Sequence, residues 1–287
     1  MTRVVLVHGI AQQVKGPSTL VEHWYPALCD GLTLADQPLI PKGDVAMAFY
    51  GDLFRPSGHR ALGLPELDAS DVQEGLEHEL LLQWWEAAAA AESQVAGPDA
   101  PARLRIPLLV QRALNALSHS SYFAALTEPM LIFSARQVRR YFTEPGTRAD
   151  VQRRLVEQVT DRTEVIVAHS LGSVIAYETL CAHPEWPDLT LVTLGSPLAV
   201  SGTVLDRLDP PPRDGLARWP APVKSWTNIA DRGDPVALVK ELAPAFGRRV
   251  DDVPVHNGAK AHDVRPYLTA RETGLAIGKA LAAPDGD

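Results

Sequence analysis

The stretch Val165-Ile-Val-Ala-His-Ser-Leu-Gly-Ser-Val-Ile-Ala-Tyr177 decides the fold of this chain. Its first residues, Val165–Ala168, form an apolar run that is typical of a strand covered on both faces in a parallel sheet. The segment that follows, Leu171–Ala182, has the pattern of an amphipathic helix. Ser170 is therefore predicted to lie at a sharp turn from a buried strand into a helix.

Such a turn suits a nucleophilic serine, because it lifts the hydroxyl clear of the sheet and places it near backbone N–H groups. The strand and the helix collide unless the residues two before and two after the serine are small. Here these residues are Ala168 and Gly172, and Ser173 is small as well. The pattern nearly matches the nucleophile elbow G-x-S-x-G, with Ala168 in place of the first glycine. The alternative is an ordinary strand–turn–helix with an incidental serine.

Strand patterns recur along the chain, with helical patterns between them. This alternation indicates an α/β sheet with right-handed crossover connections. The sequence therefore predicts an α/β protein with a mostly parallel sheet flanked by helices. Besides Val165–Ala168, the predicted strands are Val4–Val7, Val45–Tyr50, Leu189–Leu194, Val223–Ala230 and Arg248–His256.

The alternation stops between the strand at Val45–Tyr50 and a helix that Thr147 is predicted to cap. Three helical patterns lie in between, of which the first is predicted to begin at a cap on Ser70. The other two are Leu108–Leu117 and Pro129–Tyr141. Residues 1–54 and 144–287 are thus predicted to form the sheet domain, and residues 55–143 a helical insertion.

The composition is that of an ordinary globular protein and excludes several function classes. Of the 287 residues, 46% are hydrophobic and 22% are charged, and the formal net charge is −8. This acidity makes nucleic acid and anionic membranes poor partners. No apolar run approaches the ~18 residues of a membrane span, and the N-terminus lacks the apolar stretch of a signal peptide, so we expect no transmembrane segment and a cytoplasmic protein.

The sequence supports neither a metal site nor a cofactor. Cys29 and Cys181 are far apart, and the histidines outside the motifs lack ligand spacing. The phosphate-binding patterns G-x-x-x-x-G-K-[ST] and G-x-G-x-x-G are both absent from the sequence. We therefore expect chemistry by side chains and backbone groups alone.

A second motif supplies the hydrogen-bond donors that acyl transfer needs. Negative charge develops on the carbonyl oxygen, and losing one of two prepositioned N–H donors typically costs ~10²–10³ in rate. One predicted donor of this oxyanion hole is the N–H of Leu171, at the start of the elbow helix. The other is the N–H of Ile10, because Gly9 lets the backbone turn after the first strand. His8 is expected to brace this loop.

With these motifs the chain resembles the α/β-hydrolases, in particular compact bacterial lipases and esterases. The resemblance rests on V-L-V-H-G-I at 5–10, A-H-S-L-G at 168–172, L-G-S-P-L at 194–198 and D-P-V-A at 234–237, and it covers residues 1–50 and 144–280. It implies an α/β-hydrolase sheet that starts at the strand before the oxyanion loop. It also implies that the acid follows the serine along the chain and that the histidine follows the acid.

The resemblance implies that Asp234 is the catalytic acid, because D-P-V-A is similar to the turn that carries the acid in many lipases. Asp231 is the alternative acid. Whichever aspartate is not the acid should cap or hydrogen-bond the loop. The base should be His262, on the loop before the final helix, rather than His256. That helix is predicted to run from Asp263 to Ala283, with Asp263 as its cap.

The sequence thus predicts a serine hydrolase that cleaves a carboxylic ester through Ser170, His262, Asp234 and an acyl-enzyme. The same triad would serve a thioesterase, or an acyltransferase or cyclase on a biosynthetic acyl substrate. A hydrolase-fold binding protein without catalysis is an alternative of another class.

The insertion carries apolar residues that would form a cap over an apolar acyl substrate. They would equally serve to pack the insertion onto the sheet, or to form a homodimer surface. These residues are Leu80-Leu-Leu82, Trp84, Trp85, Met130, Ile132 and Phe133.

Overall fold

One six-stranded sheet organises the computed structural model, which describes residues 2–55, 66–98, 106–123 and 126–282. Its strands are β1 Val4–Val7, β2 Val45–Ala48, β3 Val165–His169, β4 Leu189–Leu194, β5 Val223–Asp231 and β6 Val250–Val255. The strand order is β2-β1-β3-β4-β5-β6, and every neighbouring pair is parallel. The prediction of an α/β sheet is confirmed, and the described sheet is parallel throughout.

Helices cover both faces of the sheet, because successive strand residues point to opposite sides. In β1, Val5 and Val7 belong to one apolar cluster, whereas Val4 and Leu6 belong to the other. Both clusters exclude water, which explains why β1 is apolar at every position. The first cluster contains residues of α2 Leu76–Ala91, α3 Ile106–Ser118, α4 Glu128–Thr143, α5 Pro145–Val156, α6 Leu171–Ala182 and α7 Ala243–Phe246, and the second those of α1 Pro17–Leu34, α8 Val264–Thr269 and α9 Arg271–Ala282.

The direction in which strands are added reverses between β1 and β3. The chain places β2 on one side of β1 and then β3 on the other side. In doubly wound parallel sheets such a reversal opens a crevice beyond the carboxyl ends of the two strands, where ligands bind. Gly9 and Ile10 follow β1, and Ser170 follows β3. Both predicted motifs therefore lie at this crevice.

Two helices begin at other residues than the sequence predicts. Ser70 does not cap α2, because it lies in a 3₁₀ turn and its own N–H donates to the side chain of Asp68 at 2.7 Å. The helix α2 starts only at Leu76, after Gly75 has turned the chain with a φ of 90°. Likewise α5 begins at Pro145, before Thr147. A capping residue in a short turn gives the same local signal as one at a helix, so the sequence alone does not separate the two cases.

The C-terminal region forms two helices where the sequence predicts one. Ala270, with a ψ of 133°, ends α8, and α9 begins at the next residue. Asp263 caps α8 as predicted, because its side chain accepts the Arg265 N–H at 3.0 Å. The break lets both helices contact α1. Ala283 lies outside the described residues.

The predicted insertion packs on one face of the sheet. Buried residues of α2, α3 and α4 join the same apolar cluster as those of α6. Residues 56–65, 99–105 and 124–125 of the insertion lie outside the described residues. Between β2 and β3, the part of the chain that the structure describes contains helices and turns and no strand. No described helix combines the length and the apolar character of a membrane span.

Candidate active site

Ser170 occupies the turn between β3 and α6 in a strained backbone conformation. Its φ of 54° and ψ of −129° are values that residues other than glycine adopt only when their surroundings enforce them. The Ser170 N–H donates to the Leu194 carbonyl at 3.1 Å, and its own carbonyl accepts the Ser173 N–H at 2.9 Å and the Ser173 hydroxyl at 2.6 Å. These bonds hold the turn on both sides and fix the direction of the Ser170 side chain.

Two glycines let the neighbouring backbone approach this turn. A Cβ at Gly172 would lie 2.5 Å from the His8 carbonyl oxygen, so α6 packs directly against the end of β1. A Cβ at Gly9 would lie 2.7 Å from the Cβ of Ser170. The loop after β1 therefore runs beside Ser170, and Ile10 is the next residue in that loop.

The structure brings Ser170, His262 and Asp234 together from three separate parts of the chain. His262 Nε2 lies 3.0 Å from Ser170 Oγ, and His262 Nδ1 lies 2.8 Å from Asp234 Oδ2. A carboxylate only accepts hydrogen bonds, so Nδ1 carries the proton and Nε2 is free to accept the serine O–H. The imidazole is thus oriented to take a proton from Ser170.

The carboxylate of Asp234 is fully buried and held at both oxygens. Oδ1 accepts the N–H groups of Val236 and Ala237 at 2.8 and 3.2 Å, and Oδ2 accepts from His262 and from the Tyr267 hydroxyl, each at 2.8 Å. Burial alone raises the pKa of this carboxyl, but the charge and hydrogen bond of His262 and the donors at Val236 and Tyr267 bring the pKa below its usual value. Asp234 is therefore ionised at neutral pH.

The other aspartate and the other histidine have different positions. Asp231 accepts the backbone N–H of Gly233 at 2.6 Å and that of Asn257, so it supports the loop after β5. His256 Nδ1 is 3.7 Å from Asp231 Oδ2, and its side chain is 89% exposed. Asp234 is thus the aspartate that contacts His262, and His262 is the histidine that contacts Ser170.

His169 and Tyr267 support the three residues, and neither role was predicted from the sequence. His169 Nε2 lies 3.0 Å from the His262 carbonyl oxygen, and the two rings are 4.7 Å apart between centroids. Burial lowers the pKa of His169 to about 3, so its ring is neutral and donates to that carbonyl. The motif A-H-S-L-G contains His169, but sequence spacing does not show that its side chain reaches a loop so distant in the chain.

His8 braces the loop after β1, as the sequence predicts. Its Nδ1 lies 2.7 Å from the Gly9 carbonyl oxygen, its Nε2 accepts the Tyr50 N–H at 3.2 Å, and its ring stacks on Tyr50 at 3.9 Å. Burial lowers the pKa of His8 to about 4, so the ring is neutral at physiological pH. Farther along this loop, Ala11 has a φ of 61°, and its N–H donates to Gln137 Oε1 of α4 at 2.9 Å.

A cavity opens at Ser170, with Ile10 and Leu171 in its wall. Its inner space is small, about 30 Å³, and about 430 Å³ is reached only when the open solvent at its mouth is included. The predicted oxyanion-hole residues therefore border the same space as the serine hydroxyl. The other described residues that line it are Leu80, Gln83, Trp84, Val138, Pro197, Val200, Thr203, Val204, Val236 and Leu238.

The insertion reaches this cavity through α2 and α4. Of the apolar residues predicted to form a cap, Leu80 and Trp84 line the cavity. Val138 and Gln83 line it too and were missed, although Gln83 lies on the same helix face as Leu80. The remaining candidates either pack in the apolar cluster or lie half-buried: Leu81, Leu82, Trp85, Met130, Ile132 and Phe133.

Comparison of the chain with models of known families, with curated proteins and with solved structures finds no match. Among the described residues, no group of three or more His, Cys, Asp or Glu side chains is arranged to hold a metal ion.

Proposed function

We propose that this protein is a serine hydrolase that cleaves a carboxylic ester through an acyl-enzyme, on an α/β-hydrolase fold that starts at the oxyanion-loop strand. In this proposal residues 55–143 are a helical cap. The observation that carries it is the chain of contacts from Ser170 Oγ through the His262 imidazole to Asp234, at 3.0 and 2.8 Å. These are the contacts by which a base activates a serine and a buried acid orients the base.

In the acylation half of the proposed reaction, Ser170 Oγ attacks the ester carbonyl carbon and its proton passes to His262 Nε2. Asp234 stabilises the imidazolium that forms and holds Nδ1–H in place. The carbonyl oxygen gains negative charge, which the N–H groups of Ile10 and Leu171 stabilise. The tetrahedral intermediate then expels the alcohol, which takes the proton from His262, and Ser170 is left acylated.

Water completes the reaction by the same route. His262 Nε2 takes a proton from water as the water oxygen attacks the acyl carbon. The second tetrahedral intermediate breaks its bond to Ser170 Oγ, which regains a proton from His262, and the acid leaves. The imidazole thus accepts and returns one proton in each half of the reaction.

The cavity wall supports an apolar acyl group as the substrate. Ten of the lining residues are apolar or aromatic, namely Ile10, Leu80, Trp84, Val138, Leu171, Pro197, Val200, Val204, Val236 and Leu238. Such a wall favours the transfer of hydrocarbon from water and excludes bulk water from the acyl-enzyme.

A fluorophosphonate probe tests the chemistry directly, because it reacts with an activated serine. We expect the folded protein to be labelled at Ser170 and to hydrolyse p-nitrophenyl acyl esters. The Ser170→Ala variant should lose labelling and lose at least about 10³-fold in kcat/KM. Ser93→Ala, which changes an exposed serine in the same way, should keep both.

Two results would overturn the proposal. Folded protein that neither labels nor cleaves any ester would favour a hydrolase-fold binding protein. A panel of acyl thioesters of the same chain lengths, with thioester turnover far above ester turnover, would reassign the reaction to thioester cleavage with the same residues.

A further inference from the structure

One polar pair interrupts the apolar wall of the cavity. Gln83 of α2 and Thr203, from the segment after β4, both line it, and the Thr203 hydroxyl donates to Gln83 Oε1 at 2.9 Å. Thr203 is 1% exposed, so its hydroxyl is fixed inside the protein. This bond orients the Gln83 carboxamide, because the buried Thr203 hydroxyl holds the carboxamide oxygen in place.

The nitrogen of the same carboxamide has no hydrogen-bond partner among the described residues. Gln83 is half-buried and lines the cavity that Ser170 borders. Its Nε2 is not one of the fully buried polar atoms that lack a partner, so the –NH₂ group keeps contact with solvent. Because Thr203 holds Oε1, the –NH₂ group is a donor of fixed direction on a side chain that borders the cavity.

A donor in an apolar pocket discriminates strongly between ligands. If hydrocarbon covers it, its hydrogen bond to water is lost and nothing replaces that bond. If an acceptor on the ligand meets it, the bond is restored in a dry site. Ligand pockets use such isolated polar groups to set orientation and specificity.

We propose that the acyl chain of the substrate carries an acceptor oxygen, such as a keto or an ether oxygen, that binds Gln83 Nε2–H. The inference rests on the proposed ester hydrolysis and names the class of acyl group for it: a mainly apolar chain with one acceptor oxygen away from the ester. Gln83 selects the substrate, and Thr203 positions Gln83.

The role of Gln83 is tested with a series of p-nitrophenyl esters of equal chain length. In each ester of the series, an ether oxygen replaces one methylene, at a different position of the acyl chain. In a wholly apolar pocket every ether ester should be cleaved less efficiently than the all-carbon ester. With Gln83 as donor, one position in the series should exceed the all-carbon ester by about tenfold in kcat/KM, the value of one net hydrogen bond.

Variants then assign the preference to the pair. Gln83→Met keeps a similar volume and removes the donor, and it should reduce the ratio of the preferred ether ester to the all-carbon ester about tenfold. Thr203→Val should reduce the same ratio by less, and should add nothing in a Gln83→Met background because the carboxamide that it positions is gone. Gln73→Met, at an exposed glutamine, is the matched control and should keep the ratio.

The outcomes separate this inference from the proposed function. Turnover of esters with no preferred ether position, or a preference that survives Gln83→Met, would overturn the role of Gln83 and leave the hydrolase intact. Absence of all ester turnover and of fluorophosphonate labelling would overturn the hydrolase itself.

Discussion

The hydroxyl of Tyr267 donates to Asp234 Oδ2 at 2.8 Å, the same oxygen that accepts the hydrogen bond of His262. The hydroxyl oxygen in turn accepts the backbone N–H of Asp231 at 2.9 Å. Burial and the neighbouring Asp234 charge raise the pKa of Tyr267, so the hydroxyl keeps its proton. Tyr267 therefore links the end of β5 to the carboxylate and fixes the direction of Oδ2.

Replacing Tyr267 with Phe should lower kcat about tenfold with little change in KM, because the carboxylate that orients His262 loses a donor. Loss of that donor raises the pKa of Asp234. Protonation of Asp234 removes the acceptor of the His262 Nδ1–H, so on the acid side of the pH–rate profile activity should be lost at higher pH than in the wild type. Steady-state kinetics over a pH series measure both effects.

Tyr25→Phe provides the matched control, since the Tyr25 hydroxyl donates to the Ile40 carbonyl away from the site. It should leave the pH–rate profile in place. If the pH–rate profile of Tyr267→Phe does not move, and kcat falls only because less protein is folded, the role of Tyr267 is purely structural.

The two neighbouring aspartates should respond very differently to amidation. Asp234→Asn offers Nδ1 of His262 a group that also donates, which favours the wrong tautomer, and should lower kcat/KM by about 10³–10⁴. Asp231→Asn alters only the support of the loop and should lower kcat/KM by less than about tenfold. Measuring kcat/KM for both variants tests this. A larger loss of kcat/KM in Asp231→Asn than in Asp234→Asn would show that Asp231 is the catalytic acid.

The contact between Ala11 and Gln137 couples the insertion to the predicted oxyanion hole. Gln137→Met leaves the Ala11 N–H without its acceptor and loosens the loop that carries Ile10, so kcat should fall about tenfold. Thermal denaturation should show that the variant remains folded. Gln158→Met, a half-buried glutamine away from the cavity, should behave like the wild type, and equal kcat in both variants would show that the loop does not depend on α4.

His8 should make the stability of the fold depend on pH. Burial lowers its pKa from 6.5 to about 4, so between these values the unfolded state binds a proton that the folded state does not. The free energy of unfolding should therefore fall as the pH falls from 6.5 towards 4, by about 3 kcal/mol in total from this group. Above pH 6.5 the contribution is fully present.

Urea denaturation at a series of pH values checks this against His8→Gln, which lacks the titrating ring. Over the window from pH 6 to 4.5, the slope of the wild type should exceed that of the variant by about 1.4 kcal/mol per pH unit. Equal slopes would show that His8 titrates alike in the folded and unfolded protein.

The strands and the serine turn were predictable because their causes are local. Strands covered on both faces are largely apolar, and the predicted Val4–Val7 and Leu189–Leu194 match β1 and β4 residue for residue. The turn at Ser170 requires small neighbouring residues, and Gly172 is small enough for α6 to contact the end of β1. Helix ends were less predictable, because Gly75 and Ala270 end or begin elements through backbone angles that the packing decides.

The sequence by itself determined the parallel α/β sheet, the serine at the turn from β3 into α6 and the small set of aspartates and histidines that follow it in the chain. Only the tertiary structure decided that Asp234, and not Asp231, meets His262. It also decided that Tyr267 contacts Asp234, that His169 contacts His262 and that Gln83 lines the cavity at Ser170. The physical reason is the distance along the chain over which each interaction acts. Apolar periodicity and steric limits act between chain neighbours, whereas a hydrogen bond between residues far apart in the chain depends on where the sheet places both loops.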